Sequence, residues 1–131
     1  MAVNWYNMGK GIIEWIIGPQ LIGVIFIIAG WVQQTWPPKS INGLYGYRMP
    51  SSKQNQQTWN EANRYSARFM IKAGIFILIT GIIATVLLNV IPMSGRIKSA
   101  IWFFVMIASA MGSAISIIVS TERHMEKTFP E

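Results

Sequence analysis

Charge is absent from three long stretches of this chain: residues 15–38, 73–95 and 99–121 contain no Asp, Glu, Lys, Arg or His. A bilayer core of roughly 30 Å needs about 20 helical residues to cross it, and each stretch is long enough. The pattern predicts spans at about 15–35, 73–91 and 99–120. Pro19, beside Gly18 and Gln20, predicts a bend or an early helix start in the first span, since proline lacks a backbone donor. Pro37-Pro38 stops the first span and Pro92 the second. Trp15 at one end of the first span, and Trp31 and Trp36 at the other, suit the two membrane interfaces, as do Trp102, Phe103 and Phe104 near the start of the third.

The polar connection, residues 39–72, carries most of the remaining information. Asn42 to Pro50 holds two glycines and ends on proline, which predicts a structured turn. Tyr45 and Tyr47 beside Arg48 fit a headgroup-level position. Ser51 and Gln54 have capping-box spacing, so a helix is expected from about Ser52 into the second span. Trp59, Ala62, Ser66, Phe69 and Ala73 recur at three and four residues, and Glu61, Arg64, Arg68 and Lys72 form a polar stripe elsewhere. This reads as an amphipathic helix lying at the interface, either anchoring the second span or carrying a recognition role.

Small residues in the spans offer packing ridges. The third has Ala108, Gly112, Ser116 and Ser120 at intervals of four, flanked by Ser109 and Ser113; the second has Gly81, Thr85 and Asn89. These ridges are expected either to meet each other within one bundle or to hold an oligomer or partner.

Composition sharpens the assignment. Charged residues make up 12% and hydrophobic residues 52% of the chain, where a soluble domain carries about 25% charged residues. The expected fold class is all-α: residues 1–131 form a single membrane domain, a three-span transmembrane helical bundle with one interfacial amphipathic helix. The apolar stretch after Lys10 is too long for a signal core and has no small-x-small cleavage site, so it reads as a retained span. The net charge of +6 points to anionic lipid and orientation, not to nucleic acid. Lys39, Arg48, Lys53, Arg64, Arg68, Lys72, Arg123 and Lys127 fall on one side, and Lys10, Arg96 and Lys98 on the other. The excess predicts a cytoplasmic first connection and C-terminus, with the N-terminus outside.

Candidate chemistry is sparse. Cys and Asp are absent, which removes disulfides, thiolate metal sites and most nucleophile constellations. His124, alone in the tail, reads as a solvated side chain. Glu14 lies near enough to a span end to reach the interface. No phosphate-binding glycine loop is present, and no cofactor, metal or catalytic residue is expected.

The string Asn42-Gly-Leu-Tyr-Gly-Tyr-Arg48-Met-Pro50, followed by Trp59 and Asn63, resembles the signature of SdpI-family bacterial membrane proteins, and the chain looks like the C-terminal half of longer members. The matching residues are Asn42, Gly46, Tyr47, Arg48, Pro50, Trp59 and Asn63. The resemblance implies a non-enzymatic protein of the bacterial cytoplasmic (inner) membrane that confers immunity to, or senses, a membrane-active peptide toxin. It also implies signalling, in which a cytoplasmic repressor is captured at the membrane. A small accessory subunit of a larger membrane complex is the competing expectation. On physical grounds Arg48 has three possible partners: a lipid phosphate, a carbonyl at a span end, or Glu61. Arg48, Trp59 and Asn63 either contact a ligand or fix the connection against the bundle.

Overall fold

The structure is a computed structural model that describes residues 5–130. Of residues 5–8, 10 and 14 it describes the backbone alone, so the side chains of Lys10 and Glu14 lie outside the described residues. The described chain is helical: α1 (Trp5–Ile16), α2 (Pro19–Thr35), a 3-10 turn (Pro50–Lys53), α3 (Gln56–Val90) and α4 (Gly95–Thr128). Two helices, α3 and α4, are long and apolar enough to cross a membrane. The first expected span is divided. Pro19 sits in the first turn of α2, where its missing N–H costs nothing, and α1 ends three residues earlier. The carbonyls exposed by the break are captured: Gln20 Nε2 donates to the Trp15 oxygen at 2.6 Å, and Trp102 Nε1 to the Ile17 oxygen at 3.2 Å.

Helices α2 and α3 run antiparallel along a seam of glycines seven residues apart. A Cβ on Gly23 would lie 2.5 Å from the Leu78 nitrogen, one on Gly74 2.7 Å from the Gly23 oxygen, one on Gly30 2.7 Å from the Ala67 oxygen, and one on Gly81 2.5 Å from the Gln20 nitrogen. Backbones this close exclude any side chain at these four positions. Thr85 Oγ1 donates to Gln20 Oε1 at 3.2 Å on the same seam.

The expected meeting of the Gly81 and Gly112 ridges does not occur. Gly81 and Thr85 face α2, while Ala108, Gly112 and Ser116 are exposed, with nothing within 4 Å of a Cβ on Gly112. Helix α4 instead buries Ser113, Thr121 and Met125, on a stripe about 100° further round. A repeat of four marks a face without saying which neighbour meets it, and the glycines of α2 allow the closer approach.

Two further expectations are corrected. The amphipathic stretch runs into the second span as expected, but residues 56–72 continue without a break into 73–90 as the first half of α3, so it is not an interfacial element lying apart from that span. Trp59, Ala62 and Ser66 on its apolar face are buried against protein. No proline or glycine interrupts residues 56–73, so nothing turns the helix into the interface plane. Its start is also later than expected: Asn55, not Ser51, is the N-cap, accepting from the Gln57 and Thr58 nitrogens at 2.9 Å, with Thr58 completing the capping box.

Outside the seams the surface is apolar. Phe76, Ile79, Ile83 and Leu87 on α3 and Phe103, Phe104, Met111 and Ile115 on α4 are exposed, whereas Gln20, Gln33, Thr85 and Ser113 are buried. Polar groups inward and large apolar groups outward is the arrangement of a protein surrounded by lipid.

Candidate functional site

At about 1.5 Å per residue, 35 and 34 residues make helices near 52 Å long. Both exceed a hydrocarbon core of roughly 30 Å, and their charged ends, 56–72 and 121–128, project together with the 36–55 loop. These three segments build a polar cap.

The loop is shaped by side chains that satisfy its backbone. Asn42 Oδ1 accepts from the Leu44 and Tyr45 nitrogens at 2.9 Å, an Asx turn. Tyr45 donates its hydroxyl to the Trp36 oxygen at 3.0 Å, and Arg48 donates to the Gly43 oxygen. Gly46 has φ +97, and a Cβ there would run into Asn63 Oδ1 and lie 2.8 Å from Pro38 Cγ; the position needs both the left-handed conformation and the missing side chain. Pro50 opens the 3-10 turn. The turn's Ser52 donates to the Met49 oxygen at 2.7 Å.

Asn63 is the hub. Its Oδ1 accepts from the Tyr47 nitrogen at 2.6 Å, and its Nδ2 donates to the Trp59 oxygen at 2.9 Å. Gln33 of α2 reaches the same place, donating to the Asn63 backbone oxygen and to Ser66 Oγ, each at 2.9 Å. Trp59, fully buried, donates its indole N–H to the Pro38 oxygen at 2.9 Å. One face of α3 thus binds the loop and the end of α2.

The end of α4 closes the cap. Glu122 Oε1 accepts from the Tyr47 hydroxyl at 2.5 Å and from Ser51 Oγ at 2.7 Å. Burial first, then the hydrogen bond and charge of Glu122, push the Tyr47 phenol well above its ordinary range, so it remains a donor. Glu61 pairs with Arg64 and, at 2.8 Å, with His124 Nε2. Burial acts to raise the Glu61 pKa, but hydrogen bonds and attraction from His124 and Arg64 outweigh it and hold the carboxyl below its usual value. The His124 ring stacks on Tyr65 at 4.0 Å, and the Tyr65 hydroxyl meets Ser120 Oγ at 2.8 Å.

The structure therefore gathers all seven motif residues into one cap. Gly46, Tyr47, Trp59 and Asn63 form its interior, Asn42 and Arg48 shape the loop, and Pro50 sets the turn. Arg48 does not pair with Glu61; it holds Gly43, five residues back. His124 is not a solvated tail residue but a partly buried stacking partner. Glu122, Gln33 and Tyr65 were not singled out from the sequence. The available signal was the lack of glycine or proline between Thr121 and Phe129, which allows α4 to continue into the cap. Among the described residues no group of three or more His, Asp or Glu lies close enough to hold a metal.

Residues 39–121 match the model of the SdpI/YfhL protein family, an interval that opens on the cap loop and takes in α3 and most of α4. Over 61 residues the chain is 51% identical to Uncharacterized protein YfhL of Bacillus subtilis (strain 168), covering 47% of this chain and 56% of that protein. The chain thus spans about half the length of the curated relative it matches. No solved structure matches. With more than half of its residues inside the matched interval, the chain belongs to the SdpI/YfhL protein family.

Proposed function

We propose that this SdpI-like membrane protein protects a bacterial cell against, or senses, a membrane-active peptide toxin, without catalysis. The observation that carries the reading is the cap: every motif residue lies in one hydrogen-bonded unit whose tip displays Leu44, 93% exposed, beside Tyr45. Rigid backbone that holds out an apolar side chain suits recognition, because little ordering entropy remains to be lost on binding.

In this reading the chain crosses the cytoplasmic membrane three times. Helix α2 has 17 residues, about 26 Å, and the exposed Ile12, Ile13 and Ile16 of α1 continue its apolar surface beyond the Pro19 break. Exposed Trp15 lies toward one end and exposed Trp31 and Trp36 toward the other. The cap, with eight of the eleven Lys and Arg residues on its side, faces the cytoplasm. Reporter fusions at residues 50 and 131 that both emerged external would reverse this orientation.

The test is survival. Expressing the chain in a bacterial host that lacks its own family members and secretes a peptide toxin should restore growth, and Asn63→Ala at equal abundance should not. Growth unchanged by the wild-type chain would refute protection. Binding of a soluble repressor to the cap would assign the sensing branch.

A second reading, a small subunit of a larger membrane complex, is favoured by the outward Ala108, Gly112 and Ser116 ridge, which is exposed and has open space at Gly112. A stoichiometric partner retained through purification from native membranes, and lost on Gly112→Leu, is its expected signature.

A further inference from the structure

A groove of about 510 Å³ runs between α3 and α4 on the side of the bundle bearing Tyr65, and its lining changes character along its length. Ile115, Val119 and Phe69 form one end, Ser116 and Ser120 contribute hydroxyls, and Arg123 and Lys127 stand at the other. The change coincides with the end of the uncharged run of α4 at Thr121. On the spanning reading, the α4 wall of the groove therefore passes from hydrocarbon to headgroup level, facing Tyr65 and Phe69 of the cap end of α3.

The charges around it are sorted. Arg123, His124 and Lys127 line the groove, and no carboxylate does. Glu122 is turned away onto Tyr47 and Ser51, and Glu126 lines the recess beside Ser51. His124 is held by Glu61 and by the Tyr65 ring, which makes it part of a fixed wall. Arg123 and Lys127, four residues apart on one helix face, are both exposed, and like charges at that spacing repel. The helix dipole accounts for a cation in the last turn of α4 but fades beyond it, which leaves Arg123 unexplained. An anion lying between the two removes the repulsion.

We propose that this groove is a specific site for an anionic phospholipid, with the phosphate between Arg123 and Lys127, the ester region at Ser116 and Ser120, and one acyl chain along Phe69, Ile115 and Val119. The site rests on the reading that α3 and α4 span a membrane. It differs from a general attraction of basic surface to anionic leaflets because it sets two cations at one end of a groove whose other end is apolar, which free phosphate cannot fill.

The full chain, purified in neutral detergent, is titrated with phosphatidylglycerol, with phosphatidylcholine and with inorganic phosphate, and bound lipid is counted by native mass spectrometry. Phosphatidylglycerol should bind preferentially. Arg123→Ala/Lys127→Ala should weaken it about thirty-fold, the ratio expected when two surface cations are lost. Lys39→Ala/Lys53→Ala, which removes the same charge elsewhere, should change it less than about two-fold. Equal losses in the two double variants, no preference over phosphatidylcholine, or inorganic phosphate competing at equal concentration would each overturn the site. The spanning reading is checked separately: release of the chain from membranes by alkaline carbonate would remove it whatever the lipid binding.

Discussion

The backbone N–H of Tyr47 ends on the side-chain oxygen of Asn63, 2.6 Å away and 16 residues along the chain. The Asn63 side chain in turn donates through Nδ2 to the Trp59 oxygen, and Gln33 of α2 reaches the Asn63 backbone oxygen. One carboxamide therefore joins the loop to α3, and its own peptide unit joins α3 to α2. All of these groups are buried, so none can turn to water if the amide is lost.

Asn63→Ala should cost about 1–3 kcal/mol, the usual penalty for leaving a buried donor without a partner. The measurement is an unfolding titration with a denaturing detergent, starting from the chain in a mild one. An unchanged midpoint would show that the cap does not depend on this network.

Gly46→Ala should destabilise the cap by about 1–3 kcal/mol through an unfavourable left-handed backbone, with a further cost from contact with Asn63 and Pro38. Faster proteolysis within 39–55, with α3 and α4 intact, is the expected signature. Wild-type resistance would contradict the tight fit at this position.

Two glycine substitutions separate the inner seam from the outer ridge. Gly23→Val places side-chain atoms against the Leu78 and Gly74 backbone and should part α2 from α3. Gly112→Val meets open space and should leave the monomer's unfolding unchanged. A cysteine pair engineered across α2 and α3 reports the first outcome, and loss of that crosslink in the Gly112 variant would contradict the second.

The Glu61 clasp gives the end of α4 an acid dependence. The folded carboxyl is held below the value it has in the unfolded chain, so its contribution is complete above the ordinary carboxylate range and is lost as pH falls through the folded pKa. Proximity of residues 61 and 124, read by spin labels on neighbouring positions, should persist through the ordinary carboxylate range and decline only as pH falls below it. Glu61→Gln should flatten the curve; an acid response of equal size in that variant would assign it to another group.

Much of this protein could be read along the line of residues. Three uncharged runs located the apolar helices, because a charge in hydrocarbon is too costly to leave in place. Pro19, Pro37 and Pro92 marked where helices begin or stop, since a missing donor acts locally. The order Asn42, Gly46, Arg48, Pro50, Trp59 and Asn63 marked the cap, and the family match opens on its loop.

Which faces meet could not be read in this way. Gly81 and Gly112 carry the same kind of pattern, yet one touches Gln20 and the other touches nothing. Tyr47 and Glu122 are 75 residues apart, and Glu61 and His124 are 63 apart. Periodicity establishes that a helix has a face, because the side chains of one helix share one axis. The rotation of that face toward a neighbour is set jointly by every contact along both helices, and those contacts exist only once the chain has closed on itself.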